Sequence, residues 1–182
     1  MSLDVKGPVM LEMAEKANVP VCVHLDHGET LDYIYKALKM GFTSVMYDGS
    51  VLSFEENLAN TKMAVSFAKK TGASVEAELG CMGKRETGSG SEKEGKDPEK
   101  IYTDPKQAKV FAEVTGIDAL ACSFGTTHGV YLSRPMLDFS VVENVRKLAG
   151  VPVVMHGGSG VSEEDYSLVS NDSDKGNHYG KN

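Results

Sequence analysis

The chain has 182 residues, of which 41% are hydrophobic and 25% charged, enough to build a substantial core in one domain. Nineteen Lys and Arg against 26 Asp and Glu leave a formal charge of -7, which argues against nucleic acid or an anionic membrane as the main partner but allows a local phosphate pocket. No apolar run approaches the roughly 18 residues of a membrane span, and the first residues lack a signal-peptide core, so a cytoplasmic protein is expected.

Pro8 to Ala17 combines strong helix formers with apolar spacing near three and four, which predicts a helix closed by Asn18. Val19-Pro20-Val21-Cys22-Val23-His24-Leu25-Asp26-His27-Gly28 then begins as a β-branched apolar run, the pattern of a strand buried on both faces. It ends abruptly in ionisable residues and glycine. Cys22 and Cys122 fall in predicted strands and Cys81 outside them; with no CxxC spacing among the three, buried thiols are expected. Thr30 can cap a second helix with an apolar face of Leu31, Ile34, Tyr35 and Leu38, stopped by Gly41. Phe42 to Tyr47 reads as a strand leading into Asp48. Ser53-Phe54-Glu55-Glu56 is a capping box opening a helix whose buried side is Phe54, Leu58, Val65 and Ala68. Ala73 to Leu79 is a third strand with Glu78 near its end.

Gly80 to Thr103 has no strong apolar period and is rich in Gly, Ser, Lys and Glu; a loop this long is read as an active-site flap, against a plain flexible insertion. Asp104-Pro105 starts a helix that runs to Thr115. A fourth strand, Ile117 to Phe124, leads to His128-Gly129. A helix over Phe139 to Ala149 precedes a fifth strand, Val151 to Met155, which leads to His156-Gly157. Ser162 begins a last helix that fades by Val169, and 170–182 is polar, aperiodic and expected to be disordered.

This alternation predicts an α/β fold with a parallel sheet. No Walker motif or GxGxxG follows the first strand, and polar residues crown several strands, so a (β/α)8 barrel is favoured over a nucleotide-binding sheet. A complete barrel has eight strands in about 250 residues. Residues 1–169 are therefore expected to form a partial barrel of about five βα units.

Three of the five histidines follow apolar strands and precede glycine. His27, His128 and His156 are the metal candidates, because three imidazoles with an open fourth position make a Lewis-acid zinc site. His24 lies two residues before Asp26 on the same strand face and is read as a supporting residue; His178 lies in the polar tail. Asp26 is placed for general acid–base work, with orientation of an imidazole as its alternative role. Asp48 and Glu78 crown the next strands as second-site metal ligands, hydrogen-bond orienters or ordinary strand-end carboxylates. Gly157-Gly158-Ser159 entering a helix offers backbone N–H groups to phosphate, against a tight turn as the plain alternative.

Together, His24-Leu25-Asp26-His27-Gly28, Tyr47-Asp48-Gly49-Ser50, Glu76-Ala77-Glu78-Leu79-Gly80, Gly125-Thr126-Thr127-His128-Gly129-Val130-Tyr131 and His156-Gly157-Gly158-Ser159-Gly160 resemble, in order, the class II zinc-dependent ketose-bisphosphate aldolases over about Pro8 to Tyr166. The resemblance implies a (β/α)8 barrel that cleaves fructose or tagatose 1,6-bisphosphate to dihydroxyacetone phosphate and glyceraldehyde 3-phosphate. It implies zinc on His27, His128 and His156, and proton transfer by Asp26. It places Gly129 and Gly157 to Ser159 at the dihydroxyacetone-phosphate end with a monovalent cation. The flap glutamate falls on Glu86, with Glu92 and Glu94 as alternatives. A phosphorylated sugar is the implied partner, in a homo-oligomer of the family kind.

Two departures stand out. Leu132 occupies a position where fructose-specific members place Lys, and Leu132 to Phe139 looks more like the tagatose branch. The family's first two strands and last strand have no counterpart, so little or no activity is expected of the chain alone. A non-catalytic metal- or partner-binding remnant and a metal-dependent hydrolase on a similar barrel are the competing readings.

Overall fold

A computed structural model of the chain describes residues 2–80, 102–126, 137–158 and 161–171. Five parallel strands alternate with helices in the order α1 (Leu3–Glu15), β1 (His24–Gly28), α2 (Leu31–Met40), β2 (Ser44–Tyr47), α3 (Phe54–Ala68), β3 (Ser74–Leu79), α4 (Pro105–Thr115), β4 (Ala119–Cys122), α5 (Phe139–Ala149), β5 (Val153–Val154) and α6 (Glu163–Asn171). The chain divides into two compact units. One holds the residues up to Glu78 with Glu113–Asp118, and the other holds Leu79–Ala112 with Ala119 onward.

In the first unit β1 pairs with β2 and β2 with β3, with Val45 opposite Val75 and Tyr47 opposite Ala77. Side chains alternate across a strand, so Leu25, Val45, Tyr47, Val75 and Ala77 share one face. All are buried, with Ile34, Ala37 and Leu38 of α2 and Ala64, Val65 and Ala68 of α3. The opposite face carries His24, Asp26, Ser44, Met46, Glu76 and Glu78 by the same alternation. An apolar face turned to the helices thus leaves a polar face for chemistry. Asp118 closes this unit's pairing, its carboxylate accepting from the Val75 N–H at 2.8 Å and its own N–H donating to the Val75 carbonyl at 2.8 Å.

In the second unit β4 pairs with β5, Leu120 opposite Val153 and Ala121 opposite Val154. Phe111, Leu120, Cys122, Phe124, Val145 and Val153 supply its core. Thr103 ties two strand ends within it. Its hydroxyl donates to the Leu79 carbonyl at 2.6 Å and accepts from the Ser123 N–H at 2.8 Å.

The local signals act largely as expected. Thr30 accepts from the Tyr33 N–H, and Ser53 with Glu56 forms the reciprocal capping box. Asp138 caps a helix spanning Phe139–Ala149. Four expectations need correcting. First, α1 starts five residues before Pro8, which sits inside the helix. Contacts of the added turn account for this: Leu3 is buried, Asp4 pairs with Lys36 at 2.6 Å, and Gly7 lies against Met40 and Phe42. Second, the run before His24 is not strand. The ladder starts where the Val23 carbonyl accepts from Thr43 and Ser44, and upstream Val19, Val21 and Cys22 are exposed, so Cys22 is not a buried thiol, whereas Cys122 is. Third, Tyr35 is half exposed, its ring edge-on to Phe67, and Ala37 takes the buried place. Fourth, the buried side of α3 holds Asn57 and Thr61 in place of Phe54 and Leu58.

Candidate metal and proton-transfer site

The site begins with a break in β1. Strict alternation would put Asp26 and His27 on opposite faces of the strand. The register with β2 instead slips between Leu25 and Gly28, and His27 takes a left-handed backbone with φ 51°, the sole non-glycine case among the described residues. For a residue bearing a Cβ this conformation costs about 1–2 kcal/mol, and such strain clusters where a side chain must be re-aimed. The extra residue returns Gly28 to the helix-facing side, where a Cβ would fall 2.6 Å from Ile34 Cδ1 and 2.8 Å from the Met46 carbonyl oxygen. Only glycine fits there without displacing the β2 backbone.

The bulge delivers His27 among carboxylates. Its Nδ1 lies 2.9 Å from Asp48 Oδ2 and 4.0 Å from Glu78 Oε2, and its Nε2 lies 3.7 Å from Asp26 Oδ1. Asp48 is locked before it meets the imidazole, because its Oδ1 accepts from the Ser50 N–H at 3.1 Å and the Ser50 hydroxyl at 2.6 Å. Glu78 is buried at 2% exposure, whereas the Asp26 side chain is 40% exposed. The hydrogen bond to Asp48 raises the His27 pKa to about 8 despite the opposing effect of burial, with Asp26 and Glu78 adding to the rise. Burial pushes Asp48 upward, but bonds from His27 and Ser50 outweigh it and hold the carboxyl at about 2.

In the neutral ring, donation from Nδ1 to Asp48 leaves Nε2 with the lone pair, the arrangement by which a carboxylate orients a metal-binding imidazole. As an alternative to that hydrogen-bonded arrangement, His27, Asp48 and Glu78 offer one ligand atom each within 4.8 Å of one another. One imidazole nitrogen and two carboxylate oxygens suit a divalent ion of the zinc type. The donor set therefore fits a metal, and a buried carboxylate such as Glu78 has a reason to be there. Asp48 and Glu78 thus share one cluster with His27. His24 occupies the same face nearer the start of β1, its Nδ1 2.7 Å from Ser44 Oγ and its Nε2 3.8 Å from Glu76 Oε2.

His156 follows β5 in the second unit and is partly exposed, with Gly157 in the left-handed region at φ 72°. Gly158 lies against the Tyr166 hydroxyl of α6. Ser162 caps that helix, accepting from the Asp165 N–H at 3.1 Å. Its first turn carries Glu163, Glu164 and Asp165, whose charges oppose an anion at the helix end. A phosphate there would depend on the glycine N–H groups rather than on the helix dipole. His128, Gly129, Ser159 and Glu86, with its alternatives Glu92 and Glu94, lie outside the described residues, as do Cys81, His178 and Leu132.

The sequence alone gave no role to Asn57, Thr61 or Ser50. Ser50 had a signal, since Asp-Gly-Ser is a turn in which the carboxylate accepts from the chain two residues on. Among the described residues no helix is long and apolar enough to cross a membrane.

The sequence model of the family described as fructose-bisphosphate aldolase class-II matches residues 2–177, reaching past Pro8 and Tyr166 at both ends. A protein of Escherichia coli K12, described as uncharacterized protein YdjI, is 47% identical over 157 residues, 86% of this chain and 55% of that one. The crystal structure of the YdjI aldolase from the same organism matches with a TM-score of 0.72 at 40% identity, covering 91% of this chain and 54% of its own. A putative fructose-1,6-biphosphate aldolase from Coccidioides immitis gives 0.80 at 30% identity, covering 97% and 61%. The fructose-bisphosphate aldolase of Campylobacter jejuni gives 0.67 at 28%, covering 88% and 52%. The chain spans about half the length of these relatives. Its fold is accordingly α/β with five parallel strands, the part of a (β/α)8 barrel expected from the alternation of elements.

Proposed function

Because the chain belongs to the class II fructose-bisphosphate aldolase family, we propose that it carries the metal-holding and proton-moving part of an aldolase. The reaction is the reversible cleavage of a ketose 1,6-bisphosphate, of tagatose or fructose type, to dihydroxyacetone phosphate and glyceraldehyde 3-phosphate. The observation that carries this reading is the left-handed bulge at His27, which gathers an imidazole, two inward carboxylates and the more exposed Asp26 at one strand end. Strain of this kind is kept where it re-aims a working side chain.

In this reading His27, His128 and His156 hold zinc, with Asp48 and Glu78 as orienters or second-site ligands. Zinc, when bound, supplies Lewis-acid polarisation of the substrate carbonyl. Asp26 accepts the proton of the hydroxyl next to the bond that breaks, and returns one in the condensation direction. Its exposure suits that exchange, because a group that meets substrate and proton must be reachable. Asp48 keeps the His27 ring in one tautomer and orientation through the 2.9 Å contact. Glu86 moves the proton on the dihydroxyacetone carbon. Gly129 and Gly157 to Ser159 hold the phosphate end with a monovalent cation. No lysine Schiff base is needed.

The proposal extends to a cytoplasmic, homo-oligomeric protein of carbohydrate metabolism, with glycolysis as one setting. Residues 1–169 form its barrel part and 170–182 a tail. Little or no turnover is expected of the chain alone, so zinc content is read alongside activity. Chelator-sensitive release of dihydroxyacetone phosphate from either bisphosphate, without hydrolysis of simple esters, supports the aldolase. Ester hydrolysis without carbon–carbon cleavage contradicts it, and bound zinc with no turnover identifies a non-catalytic remnant.

A further inference from the structure

Asn57, in the first turns of α3, is a buried polar side chain for which the reaction above has no use. Its exposure is 2%, and that of its neighbour Thr61 is 0%. The amide Nδ2 donates to the Glu78 carbonyl at 2.9 Å, and Oδ1 accepts from the Thr61 hydroxyl at 3.1 Å. The same amide lies against Gly49, where a Cβ would fall 2.3 Å from Asn57 Oδ1. Gly49 directly follows Asp48, and Glu78 bears the buried carboxylate beside His27. One side chain therefore touches the backbone at both carboxylate-bearing strand ends, the turn leaving β2 and the last residues of β3.

We propose that Asn57 is a positioning residue: it fixes the Asp48 and Glu78 carboxylates relative to one another about the His27 imidazole, and so sets metal affinity there. The proposal rests on His27 being a metal ligand. An amide is suited to the task because it donates and accepts at once. Thr61 occupies the acceptor end, which holds the donor on the Glu78 carbonyl. Glycine at position 49 lets the β2 turn close down on the amide, so movement of either strand end is resisted by the same group. Outer partners that orient ligands typically change metal affinity by about 10–100-fold when removed.

The test uses the whole chain and zinc itself. Asn57→Ala and Asn57→Leu both remove the donor for the Glu78 carbonyl and the acceptor for Thr61, and Asn57→Leu keeps more of the side-chain volume. Zinc affinity is measured on the folded protein by chelator competition, and the ligand field is read from the visible spectrum of the cobalt-loaded chain. Both variants are expected to weaken zinc by about 10–100-fold and to alter the cobalt spectrum. Thr61→Val is expected to give a smaller loss in the same direction and provides a milder probe should Asn57→Leu fail to fold. Val65→Ala, two turns along α3, should lower stability and leave both readouts unchanged. Wild-type affinity and spectrum in Asn57→Ala and Asn57→Leu, with only stability lost, would overturn the proposal while His27→Ala still abolished binding. Unchanged affinity in His27→Ala would instead sink the reading of His27 as ligand, and the proposal with it.

Discussion

At the scale of single residues, the His27–Asp48 pair controls how the metal-free site responds to pH. The folded pKa of His27 is about 8 against an unperturbed 6.5, so its contribution is fully present below 6.5 and is lost as pH rises through 8. Asp48 runs the other way: at about 2 against 3.8, its contribution is present above 3.8 and is lost as pH falls through 2. Both act together between about 3.8 and 6.5. With chelator present, the chain should be more stable to urea at pH 6 than at pH 9, by on the order of 1–2 kcal/mol from this pair. Asp48→Asn should remove that difference and bring the His27 pKa, followed by NMR, back toward 6.5. A His27 pKa still near 8 in Asp48→Asn would refute the assignment. At Gly28, alanine meets both Ile34 and the Met46 carbonyl oxygen, so Gly28→Ala should cost about 1–3 kcal/mol in a urea titration.

Much of this was legible residue by residue, and one essential step was not. The strand-end placement of Asp26, His27, Asp48 and Glu78 follows from apolar runs that stop at ionisable residues. The bulge does not follow, because a period of two has no symbol for an inserted residue; alternation alone sends His27 toward α2. Glycine at position 28 was the available trace of it. It makes room for Ile34 of α2 and for the β2 backbone at Met46.

At the scale of elements, signals carried by a few adjacent residues were reliable, and those set by distant contacts were not. The Ser53–Glu56 box and the Thr30 cap appear as written because each is closed within one turn. The start of α1 is decided by Leu3, Asp4 and Gly7 meeting the rest of the first unit, which outweighs the usual placing of proline in a first turn. Pro8 is therefore a fault within a helix held by its surroundings. Pro8→Ala should stabilise the chain by about 1–3 kcal/mol in denaturant unfolding, and a loss of stability would show that α1 does not extend back to Leu3. Amphipathic reasoning put Phe54 and Leu58 on the buried side of α3, since it assigns polar residues outward. Asn57 and Thr61 break that rule because the element they face ends in a backbone carbonyl needing a donor, a demand invisible in α3's own sequence.

At the scale of the whole molecule, five parallel strands and their helices match 54%, 61% and 52% of the three solved aldolase structures described above. The α/β alternation was legible because each strand and helix keeps its own period. The division into two compact units was not, because it depends on contacts between residues far apart in the chain. A metal bound only by the folded chain adds stability by mass action, about 2.7 kcal/mol at a hundredfold excess over the dissociation constant. Zinc should accordingly raise the melting temperature in proportion to the logarithm of its free concentration. The most direct test of the account is the zinc content of the folded wild-type chain beside that of His27→Ala, measured after exhaustive dialysis. The account predicts about one zinc per wild-type chain and close to none in the variant; equal zinc in the two proteins would contradict it.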